Sequence, residues 1–167
     1  MMDSQLGTAL ILILRRVNAA RVSSSHDSRQ GEEEEVLEAL RQASHRLAVY
    51  GSLAPDQPNH SVIENIRGAW VDGFVHGRLK RTGWGSGIGY PAISWDPEGD
   101  RVPVKMLVSP ELPEHWKRLD EFEGADYARI LVPVEDGGGT LIAVANIYAL
   151  GTKGKGGSCL PLAPPRS

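Results

Sequence analysis

Cysteine is nearly absent: Cys159 is the only one among 167 residues, which excludes an internal disulfide framework and fits a reducing, cytoplasmic setting. It stands in a glycine- and proline-rich tail, residues 151–167, whose composition predicts disorder and no catalytic role. Positive charge is also in short supply. The formal net charge is −3 and the basic residues are scattered, so neither nucleic acid nor an anionic membrane is an expected partner. His26, His45, His60, His76 and His115 form no His-Glu-x-x-His or paired-cysteine pattern, and no metal is inferred. The glycines at 83, 85, 87 and 89 alternate, which is not the Gly-x-Gly-x-x-Gly spacing of dinucleotide sites. No Gly-Lys-Ser/Thr follows them, so no P-loop is expected. Long apolar runs are missing as well. Residues 6–14 are apolar but number only nine, against about 20 for a membrane span. Asp3 precedes that run and Arg15 and Arg16 follow it, the reverse of a signal peptide. Residues 1–31 are therefore expected to be a flexible extension, with 18–31 (NAARVSSSHDSRQG) linker-like in composition.

What remains, residues 32–150, suits one domain with a core of its own. Residues 32–46 have strong helix formers, acidic residues at the start and arginine near the end. A short apolar strand, 46–50, stops at Gly51, and 54–60 (APDQPNH) is turn chemistry leading to a helical turn at 61–66. Residues 70–79 are strand-like, with Gly73 and Gly77 marking bulges or close backbone approach. Residues 91–95 and 102–108 flank Asp96-Pro97-Glu98-Gly99-Asp100, which predicts a hairpin. A second hairpin is predicted from 128–135 and 140–150 about a turn at 136–139. One helix falls between the two hairpins. That order is α+β.

The helix between the hairpins, within 109–124 (SPELPEHWKRLDEFEG), holds a carboxylate on its apolar side. Leu112, Trp116, Leu119 and Glu123 are spaced four, three and four apart and line one face, whereas Glu114, Lys117, Arg118 and Glu121 fall elsewhere. Asp120 is expected, like Glu121, to face away from that stripe. Glu123 precedes Gly124, a helix stop, so desolvation and the helix C-terminus both disfavour its anion. Its pKa is expected above the roughly 4.3 of a free glutamate, in a range useful for proton transfer near neutrality. The alternative is a helix-end glutamate whose side chain simply reaches water.

Other chemistries lack their residues. Neither Ser52 (Tyr-Gly-Ser-Leu-Ala) nor Ser86 (Trp-Gly-Ser-Gly-Ile) sits in a Gly-x-Ser-x-Gly elbow. Asp120 and Glu121 are helical neighbours of Glu123 and provide no opposed carboxylate pair. Gly51 and Ser52, at a strand-to-loop turn, either present N–H groups to an anion or form an ordinary turn.

Taken in order, several segments resemble the gamma-glutamylcyclotransferase-like family. Leu47-Ala48-Val49-Tyr50-Gly51-Ser52-Leu53 is similar to its Tyr-Gly-Ser/Thr-Leu substrate loop. Leu119-Asp120-Glu121-Phe122-Glu123-Gly124, with Tyr127 and Arg129 after it, is similar to its Leu-Asp-x-x-Glu-Gly…Tyr-x-Arg segment. Asn59-His60, Tyr90-Pro91 and Ala145-Asn146-Ile147-Tyr148 follow the family's order, and the resemblance spans 46–150. It implies a compact mixed, largely antiparallel β-barrel with flanking helices. It also implies release of 5-oxoproline from a small-molecule gamma-glutamyl amide, with no cofactor. Glu123 takes the place of the catalytic acid/base, Tyr50, Gly51, Ser52 and Leu53 that of the substrate loop, and Tyr148 that of a pocket tyrosine. Tyr127 and Arg129 are read as structural. The leaving amine stays open, with residues 81–89 as the expected seat of its specificity. Two other readings compete: a non-catalytic small-molecule-binding module on the same fold, and an interaction domain using exposed tryptophans among Trp70, Trp84, Trp95 and Trp116.

Overall fold

A 13-residue strand organises the sheet. The computed structural model describes residues 4–23, 28–81 and 91–150. Within it run α1 (Ser4–Ser23), α2 (Ser28–Arg41), β1 (Arg46–Val49), β2 (Ala69–Arg81), β3 (Pro91–Trp95), β4 (Asp100–Val108), α3 (Leu112–Glu123), β5 (Tyr127–Glu135) and β6 (Leu141–Leu150). The strand order is β3-β2-β4-β1-β6-β5, and a further β2–β5 pairing at Phe74 and Glu135 closes a five-stranded barrel, with β3 added outside the ring. All pairings are antiparallel except β1–β6. The expected mixed, largely antiparallel barrel with flanking helices is the architecture found.

Side chains sort by the two-residue period of the strands. Ala48, Val75, Val104, Met106, Val132, Ala145 and Ile147 fill the barrel interior. Leu47, Val49 and Leu107 point outward, where Leu112, Trp116 and Leu119 of α3 cover them. Outward-facing Leu131 and Val144 are covered by Leu14 and Val17 of α1 and Leu37 of α2. The β5–β6 hairpin forms as expected, about the turn at 136–139.

Two expectations are corrected. Segments 91–95 and 100–108 do not pair with each other; both pair with β2, on its two sides. Their connection crosses the strand at Gly77, which is in register with both Trp95 and Asp100. A Cβ on Gly99 would lie 2.7 Å from the Gly77 carbonyl oxygen, so the crossing needs a bare backbone there. The second correction concerns residues 1–31, expected to be a flexible extension: Ser4–Ser23 is a helix packed on the barrel. Its reason is specific. The β5 edge meets β2 only at Glu135, and at Leu131 the Asn18 amide replaces a strand, donating to Leu131 O and accepting from Leu131 N, both at 2.8 Å. Of the tryptophans, Trp116 is buried and donates Nε1 to Ser44 O, Trp95 is partly buried, and Trp70 is exposed. Trp84, the 81–89 stretch beyond Arg81, Tyr90 and the 151–167 tail lie outside the described residues. Among the described residues no helix is long and apolar enough to cross a membrane.

Candidate active site

Where β1 ends, the chain turns sharply through Tyr50, Gly51, Ser52 and Leu53 and lines a pocket with Glu123, Tyr127, Tyr148 and Pro91. The pocket has about 400 Å³ of empty space, counted out to its open mouth. All six residues singled out in the sequence, Glu123, Tyr50, Gly51, Ser52, Leu53 and Tyr148, border this one space.

The loop is braced from outside. Asn59 N donates to Ser52 O at 2.9 Å, Asn59 Nδ2 donates to Ser52 Oγ at 3.0 Å, and His60 Nδ1 lies 2.9 Å from Leu53 O. Ala54 N closes the turn on Gly51 O. These bonds use the loop's oxygens. Its N–H groups at Gly51, Ser52 and Leu53 donate to no described residue. Successive unused N–H groups around a glycine turn make a concavity suited to an anion. Gly51 also stands close to β3, since a Cβ there would meet Pro91 O at 3.8 Å.

Tyr50 and Tyr148 form the fixed wall. Tyr50 Oη donates to Tyr148 O at 2.8 Å and accepts from Ile93 N at 3.0 Å, so one phenol ties β6 to β3. Burial pushes both phenols well above the ordinary tyrosine range, and the bond from Tyr148 to Asp120 adds to the rise there. Both stay neutral donors at any physiological pH.

Glu123 ends α3. Its backbone direction is fixed by Gly124, whose φ of 79° and ψ of −174° suit glycine almost exclusively. Leu112, Trp116 and Leu119 of the same face are buried, and Glu123, one turn further, is half-buried at the pocket. Its carboxyl makes no hydrogen bond or ion pair with any described residue. Desolvation pushes it up from 4.5 to about 7. A carboxyl in that state exchanges protons with a bound ligand near neutral pH. Glu121 is exposed on another side of the helix.

Asp120 departs from expectation. It does not face away from the pocket wall, because residues three apart on a helix are neighbours. It accepts from Tyr148 Oη at 2.6 Å and from Arg129 Nε at 2.9 Å. Arg129, read from the sequence as structural, also stacks on the Trp116 ring at 4.5 Å. Asn59 and His60 as braces and Asp120 as the acceptor for Tyr148 were not singled out by role in the sequence. For Asp120 the i, i+3 relation to Glu123 was the available signal. Among the described residues no group of histidine, cysteine and carboxylate side chains has a metal-binding arrangement.

Comparison with known proteins agrees with this arrangement of elements. Residues 47–161 match the family described as gamma-glutamyl cyclotransferase, AIG2-like. Among solved structures, an AIG2-like protein from Mus musculus is similar at 22% identity, over 65% of this chain and 78% of that one, with a TM-score of 0.51. A protein from Arabidopsis thaliana is 25% identical over 65% of this chain and 70% of its own, with a TM-score of 0.48. One from Pyrococcus horikoshii is 21% identical over 65% and 79%, with a TM-score of 0.46. At 22% identity the mouse likeness speaks to the fold alone. No curated protein matches the chain.

Proposed function

The chain belongs to the gamma-glutamyl cyclotransferase, AIG2-like family, and from that premise we propose that it cleaves gamma-glutamyl amides by intramolecular cyclisation, with Glu123 as general acid/base. The observation that carries this is the Glu123 carboxyl: half-buried, held near pKa 7, without a partner among the described residues, and in one pocket with three N–H groups that donate to none of them. The substrate would be a small molecule with a free α-amino acid end. Its α-carboxylate would lie against the N–H groups of Gly51, Ser52 and Leu53, a docking that folds the chain back on itself. Such a near-attack geometry is the main source of acceleration in an intramolecular reaction.

The steps balance with one carboxyl. Glu123 as the anion takes a proton from the substrate α-ammonium. The freed amine lone pair attacks the γ-carbonyl carbon, forming the ring C–N bond and a tetrahedral centre. The amide C–N bond then breaks and its electron pair leaves on nitrogen, which takes the proton from Glu123. The regenerated carboxylate takes the second proton from the ring nitrogen, leaving the lactam N–H, and passes it to the departing amine. The products are 5-oxoproline and an ammonium, and the glutamate is again an anion. A group poised near pKa 7 serves both transfers, because neither proton position is strongly preferred. Neutral Tyr50 and Tyr148 keep the wall rigid without competing for the proton. A sequence with a single cysteine is compatible with work in a reducing cytoplasm.

The test is a panel of gamma-glutamyl amino acids and amines, glutathione and gamma-glutamyl-lysine among them, assayed for 5-oxoproline. Turnover is expected for at least one member, and Glu123→Gln should abolish it while Glu121→Gln leaves it nearly unchanged. A panel with no turnover, or full activity in Glu123→Gln, sinks the proposal.

A further inference from the structure

An unbroken file of polar side chains runs from α2 to the pocket wall. Tyr148 Oη donates to Asp120 Oδ1. Asp120 receives Arg129 as a fork, Nε to Oδ1 at 2.9 Å and Nη2 to Oδ2 at 3.3 Å. The third Arg129 nitrogen, Nη1, donates to Asn146 Oδ1 at 3.3 Å. That same oxygen accepts from Arg21 Nη1 at 2.8 Å, and the other two Arg21 nitrogens go to Glu34 Oε1. Asn146 is fully buried and its Nδ2 is fixed on Ala43 O at 2.8 Å, so its oxygen cannot turn away.

Two guanidinium groups on one buried oxygen repel unless each has its own counter-ion. Asp120 serves Arg129 and Glu34 serves Arg21, so each cation beside Asn146 has its own carboxylate. Asp120, Arg129, Asn146 and Tyr148 lie within the family segment at 47–161; Arg21 and Glu34 precede it. We infer that Arg21 is a positioning residue for Tyr148: by occupying both Asn146 Oδ1 and Glu34, it leaves Arg129 committed to Asp120, and Asp120 holds the phenol in the pocket wall.

The physical reason is competition for Arg129. With Arg21 gone, Glu34 is an unpaired carboxylate and Asn146 Oδ1 has a vacant lone pair. Arg21, Glu34, Arg129 and Asn146 all border one open cavity, the space that a swing of Arg129 toward Glu34 would cross. The unpaired Glu34 then competes with Asp120 for the Arg129 guanidinium through charge-assisted bonds of the same kind. Asp120 then loses its fork, and Tyr148 loses a fixed acceptor.

The kinetic part of this inference rests on the proposed cyclotransferase reading; the structural part does not. The full chain is therefore labelled with fluorotyrosine, and the Tyr148 resonance is assigned with Tyr148→Phe. Arg21→Ala should shift or broaden that resonance and raise KM by roughly two- to thirtyfold, the range for residues coupled through such a network, with a smaller change in kcat. Arg21→Ala combined with Glu34→Ala should return both toward the parent, because the competing carboxylate is gone. A purely structural role for Arg21 predicts no such recovery. Should the alanine variant fail to fold, Arg21→Gln keeps the side-chain stem and must show the same shift. An unmoved Tyr148 resonance in the folded Arg21 variant, or a double variant no better than the single one, overturns the inference. Absence of turnover in every variant counts against the cyclotransferase reading, and the resonance still decides the role of Arg21.

Discussion

Replacing Glu123 by glutamine should stabilise this protein at alkaline pH while removing the proposed activity. The folded carboxyl sits near pKa 7 against an ordinary value of 4.5. The folded state thus favours the neutral acid, and stability linked to this group is fully present below about pH 4.5. As pH rises from there the unfolded chain releases its proton first, so stability falls until the folded carboxyl ionises near pH 7, and is flat above. At about 1.4 kcal/mol per pKa unit the ceiling of this cost is about 3 kcal/mol. Glu123 is only half-buried and water screens it, which leaves roughly 1–2 kcal/mol. Glutamine has a similar shape and never ionises. For a domain of this size the melting temperature of Glu123→Gln at pH 8.5 should exceed the parent's by about 2–8 °C. At pH 4 the difference should nearly vanish. Differential scanning calorimetry at both pH values reads this directly. A variant that melts at or below the parent at pH 8.5, or whose advantage is equal at pH 4, would refute the assignment of a desolvated, unpartnered carboxyl.

Three more outcomes follow from the same structure. In the proposed reaction the base must be ionised, so kcat/KM should rise with pH and bend near pH 7, and a profile flat from pH 5.5 to 8 would contradict it. Tyr50→Phe removes the acceptor of Ile93 N and the donor to Tyr148 O; a loss of about 1–3 kcal/mol is expected by urea denaturation, and a loss under 0.5 kcal/mol would mean these bonds count for little. Asn18→Ala strips both Leu131 backbone groups of their partner, at an expected cost of about 2–4 kcal/mol, and unchanged stability would show α1 to be dispensable to the barrel.

Local periodicity carried the strands and α3. Val102, Val104 and Met106, alternate residues of β4, and Leu112, Trp116 and Leu119, spaced four and three apart on α3, are all buried. Pairing partners were less legible. The turn at Asp96–Asp100 correctly ended one strand and began another, but a turn signal does not say which neighbour each strand takes; β2 was long enough to hold both. The docking of α1 left no local trace at all. Asn18 and Arg21 have the polarity of a linker, and their purpose is visible only when the β5 edge and the Asn146 oxygen are opposite them. Sequence order and spacing brought the pocket residues together through a resemblance, whereas their braces, Asn59, His60 and Asp120, are set by tertiary contacts.

Asp120 and Glu123 make the contrast that organises the site. They are carboxylates one helical turn apart on the same short helix, and backbone alone would give them similar properties. Asp120 leans over the outer sheet surface, where Arg129 and Tyr148 supply three donors. A carboxylate so occupied has most of its acceptor sites engaged, and it acts as a strut. Glu123 leans over the pocket, where the nearest protein groups are apolar surface and neutral phenols, and its oxygens stay open. Environment divides the two roles, as it does wherever two carboxyl groups share a site. The division also keeps Arg129 on Asp120 and away from Glu123. If Arg129 reached Glu123 instead of Asp120, the cation would stabilise the anion, pull its pKa down and spoil it for proton transfer near neutrality. The file that commits Arg129 to Asp120 therefore protects the unpartnered state of Glu123 as well as the position of Tyr148.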